Sequence, residues 1–165
     1  MDLTILREAA FCALFQTEFN KNENIIEEVY EVLAEENPEK NFSQRRSHNL
    51  RRIETKFAGT KANLEKIDAI IEKNLKEGWK LSRLASTDRN ILRLAVFEIL
   101  FAENKIAPPI AIDEALKLAK KYGGADESGK FINGVLSSIS EEWKDKNISE
   151  VETKTPKIKL ETDYE

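Results

Sequence analysis

Residues 87–103, TDRNILRLAVFEILFAE, constrain the fold more than any other stretch of the chain. Ile91, Leu92, Leu94, Val96, Phe97, Ile99, Leu100 and Phe101 leave only a narrow polar strip of Arg89, Arg93 and Glu98. A segment apolar nearly all round has to be buried on every side. Its β-branched residues would also suit a buried strand, but its length fits a helix. The expectation is a central core helix with amphipathic helices packed around it.

The rest of the chain supplies those helices. Residues 3–19 repeat Leu6, Ala10, Ala13 and Leu14 at helical spacing, and residues 23–36 repeat Ile26, Val29, Tyr30 and Leu33. Asn37-Pro38 ends the second helix, because proline disfavours the helical conformation in the residue before it. Ser43 is read as the N-cap of a long third helix reaching about Leu75, with a bend at Gly59. Leu64, Ile67, Ile71 and Leu75 form its later stripe, Gly78 closes it, and a short helical turn is expected at 81–84. Pro108-Pro109 opens a helix that Gly123 stops, and a last helix spans residues 126–143. With only 4 prolines and 6 glycines in 165 residues, a turn-rich β architecture is disfavoured. The fold class is therefore all-α, with about seven helices. One domain over 1–143, in subdomains of about 1–76 and 77–143, is followed by a charged tail at 144–165 that is expected to be disordered.

One cysteine, Cys12, cannot form an internal disulfide and suits a reducing compartment. No apolar run approaches the roughly 18 residues that span a bilayer, and the first residues do not read as a signal peptide. A cytoplasmic location without membrane contact follows as the expectation. No metal site or cofactor is expected, since no suitably spaced cluster of His, Cys or carboxylates occurs. Cys12 reads as a small core residue, His48 as a surface residue within a basic helix, and Gly123-Gly124 lacks the Lys-Ser/Thr of a phosphate loop. No enzyme is expected.

The net charge of −4 is a poor overall match to a nucleic-acid binder, but the charge is unevenly placed. Residues 21–39 hold seven glutamates and one lysine, whereas 40–61 hold seven Lys/Arg and one glutamate. Arg45, His48, Arg52 and Lys56 share one helical face, opposite Leu50, Ile53 and Phe57. This stripe reads either as a phosphate-binding strip or as a face that pairs with the acidic second helix. On the first helix, Arg7, Phe11, Phe15 and Glu18 share a sector beside the core-facing stripe. That sector is either an exposed protein-binding patch or one side of a helix buried on both sides.

Three segments, LREAAFCALFQTEF (6–19), STDRNILRLAVFEILF (86–101) and PPIAIDEALKLAKKYGGADESGKFINGVLSSI (108–139), together resemble the NusB family of transcription antitermination factors. Their order and spacing carry the resemblance, which covers about residues 3–143. It implies two helical subdomains packed side by side, and a function in binding single-stranded boxA-type RNA of nascent ribosomal transcripts. It also implies a heterodimer with a small-subunit ribosomal protein acting as Nus factor E, and entry into the RNA polymerase antitermination complex. By matching position, Arg7 stands for the family arginine of the RNA-binding arm, and Lys130 and Phe131 for its Lys-Phe pair near the RNA. Phe131 would stack on an unpaired base or pack in the core. Phe15 and Asp88 match positions that face the ribosomal protein, Glu127 matches an acidic position near both partners, and Phe11 joins the partner patch. The resemblance is incomplete at the start. Family members commonly open with several arginines, whereas residues 1–20 here hold Arg7 against Asp2, Glu8 and Glu18. RNA binding then depends on the ribosomal partner or on the strip at Arg45, Arg52 and Lys56, or is lost and leaves a protein-binding adaptor. The same helical domain also opens certain rRNA cytosine methyltransferases, but no glycine-rich cofactor loop occurs in this sequence.

Overall fold

The computed structural model describes residues 3–124 and 126–146. Seven α-helices occur among them: α1 (Leu3–Thr17), α2 (Ile25–Glu36), α3 (Arg46–Ala62), α4 (Leu64–Lys73), α5 (Ser86–Val96), α6 (Pro108–Tyr122) and α7 (Asp126–Trp143). A single 3-10 turn, Leu81–Arg83, precedes α5. The chain is all-α, as its periodicity requires. Of the expected tail, 147–165 lies outside the described residues.

The stretch at 87–103 does form the central helix. Ile91, Leu92, Leu94 and Val96 are fully buried, and α5 packs against α1, α3, α4, α6 and α7. The helix widens at its end into a π-helical turn, Phe97–Phe101, in which Ala102 N–H donates to the Phe97 carbonyl at 2.9 Å. The polar strip is satisfied internally. Arg93 grips both oxygens of Asp68 on α4, at 2.8 and 2.9 Å. Arg89 bonds Glu18 and the carbonyls of Leu81 and Leu84.

Helix α1 is buried on both sides. Ala9, Ala10 and Ala13 are fully covered, and these small side chains let α2, α3, α5 and α6 approach its backbone. Helix α2 buries Ile25, Ile26, Val29, Tyr30 and Leu33 and stops at Glu36, where Asn37 Nδ2 caps the Leu33 carbonyl at 2.8 Å.

Two expected boundaries differ. Ser43 does not cap the third helix. Its hydroxyl bonds Asn41 Oδ1 at 2.7 Å, and α3 begins only after Arg45, which takes a left-handed φ of 54°. The buried Phe42 explains the delay. Its ring meets Tyr30 edge-on at 5.1 Å and its carbonyl accepts the Tyr30 hydroxyl, so the chain must turn before the helix can start. Gly59 does not bend the helix either. The helix passes through Gly59 and breaks at Asn63, whose side chain takes the Gly59 carbonyl at 2.9 Å. Glycine is needed at 59 because a Cβ there would overlap the Phe97 ring. Helix α4 touches α5 and α7 as well as α3.

Candidate nucleic-acid and partner interface

Four groups of side chains include the residues singled out from the sequence. The first is buried. Arg7 Nε of α1 and Lys56 Nζ of α3 converge on one carboxylate oxygen of Glu98, at 2.7 and 2.8 Å. Arg7 and Glu98 are each 2% exposed and Lys56 15%. A lone carboxylate here would lack solvation, and two cations restore the missing charge balance. Arg7 and Lys56, expected on the RNA surface, are thus turned toward Glu98, Arg7 almost completely buried and Lys56 with 15% of its side chain exposed. Arg7 Nη2 is buried without a hydrogen-bond partner.

The second group is what remains of the α3 stripe. Arg45 and His48 are exposed and Arg52 is half-buried. The neighbouring Arg46 bonds Glu31 of α2 at 2.8 Å and lies 5.6 Å over the Tyr30 ring. Pairing with the acidic helix is therefore realised through Arg46, a residue outside the stripe. Loss of hydration and the charges of Arg45, Arg52 and Arg51 hold the His48 imidazole below its ordinary value.

The third group follows α1 to its end. Phe11, Phe15 and Phe19 recur every fourth residue, and Tyr122 of α6 extends the row, with ring centroids 5.1, 6.2 and 5.1 Å apart from Tyr122 to Phe19. Phe11 is 1% exposed, so of the two readings of this sector the helix buried on both sides holds at Phe11, which α6 covers through Tyr122. Phe15 is half-buried, and Phe19, which the reading of the sequence passed over, is 62% exposed. The i, i+4 spacing from Phe11 was the signal that could have found it. A cleft of about 250 Å³ is lined by Phe11, Cys12, Phe15, Gln16, Thr87 and Tyr122. Below it, Tyr122 donates to Glu8 at 2.6 Å, Lys121 pairs with the same carboxylate, and Cys12 Sγ lies 3.5 Å from the Tyr122 hydroxyl. Burial raises the Cys12 thiol, so no thiolate is favoured. Burial and the Glu8 carboxylate also keep the Tyr122 hydroxyl protonated. Asp88, next to Thr87, faces Ser128 Oγ at 3.5 Å. Its other oxygen is buried and unpaired, and burial raises its pKa. Glu127, beside Ser128, is exposed. Phe15 and Thr87 thus share the cleft, and Asp88, next to Thr87, is linked to α7 through Ser128.

The fourth group lies on α7. Lys130 is exposed and Phe131 is half-buried, with its ring stacked on Trp79 at 5.8 Å and 27°. Trp79 was not singled out from the sequence, because it stands in a linker without periodicity. These two rings line a cleft of about 490 Å³ with Asn74, Lys76, Lys130, Gly134 and Val135. Among the described residues no cluster of His, Cys or carboxylates is arranged to hold a metal. No helix among them is long and apolar enough to cross a membrane.

The profile of the NusB family matches residues 4–141. Transcription antitermination protein NusB of Natranaerobius thermophilus is 40% identical over 136 residues, which cover 81% of this chain and 91% of that protein. The homologous protein of Desulfitobacterium hafniense is 39% identical over 141 residues, covering 86% and 89%. Among solved structures, Thermotoga maritima NusB superposes with a TM-score of 0.70 at 37% identity, covering 86% of this chain and 92% of that one. A structure of antitermination factors NusB and NusE in complex with dsRNA gives a TM-score of 0.67 at 30% identity, covering 85% and 96%. Sequence and fold agree over the same helices, and the chain belongs to the NusB family.

Proposed function

We propose that this chain is a transcription antitermination factor. It binds boxA-type RNA of nascent ribosomal transcripts together with the small-subunit ribosomal protein that serves as Nus factor E, and the complex joins RNA polymerase. The observation that carries this reading is the likeness, over 96% of that protein's length, to a NusB solved with NusE and dsRNA. The protein acts by binding, in the cytoplasm, and performs no catalysis.

Lys130 and Phe131 supply the principal RNA contacts, with Arg45 and Arg52 as a separate phosphate-binding strip. Arg7 and Lys56 contribute by fixing α1 against α3 and α5 through Glu98 rather than by touching RNA. The ribosomal protein docks on Phe15 and the cleft that Phe11 backs, flanked by Asp88 and Glu127. An apolar cleft with a carboxylate at its rim suits a partner surface that offers an apolar side chain beside a cation.

One observation favours a second reading, a protein-binding adaptor with weak RNA affinity. The only arginine of α1 is buried against Glu98. Titration of a boxA-type single-stranded RNA, with and without the ribosomal protein and at two salt concentrations, separates the two. Salt-dependent binding strengthened by the partner is expected. Absence of RNA binding even with the partner present would leave the adaptor.

A further inference from the structure

A cleft of about 540 Å³ opens where the π-helical turn after α5, the start of α6 and the end of α7 meet. The linker between α5 and α6 doubles back there, and Ile106 N–H donates to the Glu98 carbonyl at 2.9 Å. This bond pins the linker against the π-helical turn. Ile99, Ile106, Pro108 and Trp143 line the cleft with apolar surface. Trp143 Nε1 is buried without a hydrogen-bond partner among the described residues, whereas a buried indole ordinarily donates to an acceptor. The rim is basic. Lys105, Lys144 and Lys146 line it and are exposed, and no carboxylate is among the lining residues. Lys144 pairs with the exposed Glu141 at 2.6 Å, an exposed pair that is readily exchanged. Helix α6 begins on the cleft wall at Pro108 with no acidic residue in its first turn, so its positive end adds to the same field.

We propose that this cleft docks a short acidic segment of a protein partner, anchored by one bulky apolar side chain. The anchor enters among Ile99, Ile106 and Trp143, and carboxylates flanking it in sequence meet Lys105, Lys144 and Lys146. A backbone carbonyl beside the anchor gives the Trp143 N–H its acceptor. Burial of the anchor supplies affinity, and the complementary charge supplies orientation and speed of encounter. A nucleic acid fits less well. Trp143 is the one aromatic ring among the lining residues, and Lys146 lies 5.3 Å over it. The remaining apolar lining is aliphatic, which receives a side chain better than it stacks a base. The cleft shares no lining residue with the cleft at Phe15 or the one at Lys130 and Phe131, so a partner here leaves both available.

The test uses the full chain with Trp79→Phe, which leaves Trp143 as the only tryptophan. The probe is the peptide Asp-Glu-Asp-Leu-Phe-Glu-Asp-Glu with a fluorescent label. Its anisotropy and the Trp143 emission are followed together. The expected result is saturable binding with one midpoint in both signals, weakened by salt. Replacing Leu-Phe in the probe by Ser-Ser, or its acidic residues by lysine, should abolish it. The double variant Lys105→Glu, Lys146→Glu changes only exposed side chains and should weaken binding by at least about tenfold. Equal affinity for the Ser-Ser probe would show charge attraction without an anchor and overturn the proposal. Unchanged affinity in the double variant, or no binding up to about 1 mM probe, would overturn it as well. Displacement of the probe by a single-stranded RNA, by a synthetic peptide of residues 147–165 or by self-association at high protein concentration would give the cleft to that occupant instead. None of these results bears on RNA binding at Lys130 and Phe131, which the boxA titration tests separately.

Discussion

Glu98 fixes two cations from different helices at one buried point. Its carboxylate holds Arg7 and Lys56 and joins α1, α3 and the end of α5 at one point. Removing one partner of a buried ion pair leaves the other charge without solvent or counter-ion, and the penalty is of order 3–5 kcal/mol. Glu98→Gln keeps the shape and removes the charge, so it should lower stability by about that amount in urea unfolding. Lys56→Met should cost less, since Lys56 keeps 15% exposure and its cation is the better hydrated of the two. In the sequence Glu98 was visible only as one residue of a polar strip. Nothing in the spacing of Arg7, Lys56 and Glu98 along the chain announces that they meet.

At the scale of elements, helix periodicity was a good guide and helix ends were a poor one. α2, α5, α6 and α7 stand where their apolar repeats placed them, since 3.6-residue periodicity is a local property of the chain. The start of α3 moved from Ser43 to Arg46 because Phe42 is anchored on Tyr30, a contact between two elements. Gly59 looked like a bend and is instead a gap that receives the Phe97 ring from the π-helical turn. Gly59→Ala improves helix propensity by itself, yet it should destabilise the protein by about 1–3 kcal/mol through overpacking. The double variant with Phe97→Leu should recover most of that loss, and a thermal-melt cycle of the four proteins measures the coupling.

For the whole molecule, the packing of α1 is the controlling fact. It lies against α2, α3, α5 and α6 at once, so helices far apart along the described chain share one core. That position buries Phe11 and leaves Phe15 in a cleft with Thr87, next in sequence to the half-buried Asp88 that burial holds above the ordinary aspartate pKa. A carboxyl whose folded-state pKa is raised favours folding when protonated, and its contribution becomes unfavourable as pH rises through the folded value. Asp88→Asn should therefore raise the Tm at pH 7 and leave it nearly unchanged at acid pH, where wild-type Asp88 is already neutral. An equal Tm difference across the whole pH range would contradict that account. The same substitution should weaken capture of the ribosomal protein if Asp88 meets a cation there, which would separate its binding role from its cost to the fold.

The sequence by itself determined the class of the fold, the buried central helix and the family, because periodicity, proline and glycine punctuation and ordered motifs are all local along the chain. It also exposed the uneven charge and the Lys-Phe pair of α7. Only the tertiary structure decided which cations face water. Arg7 and Lys56 left the surface for Glu98, Arg46 went to Glu31, and Trp79 came from a linker to lie on Phe131. Desolvation and stacking act between segments far apart in the chain. A residue's availability to RNA or to a partner is therefore settled by what packs against it, not by its neighbours in sequence.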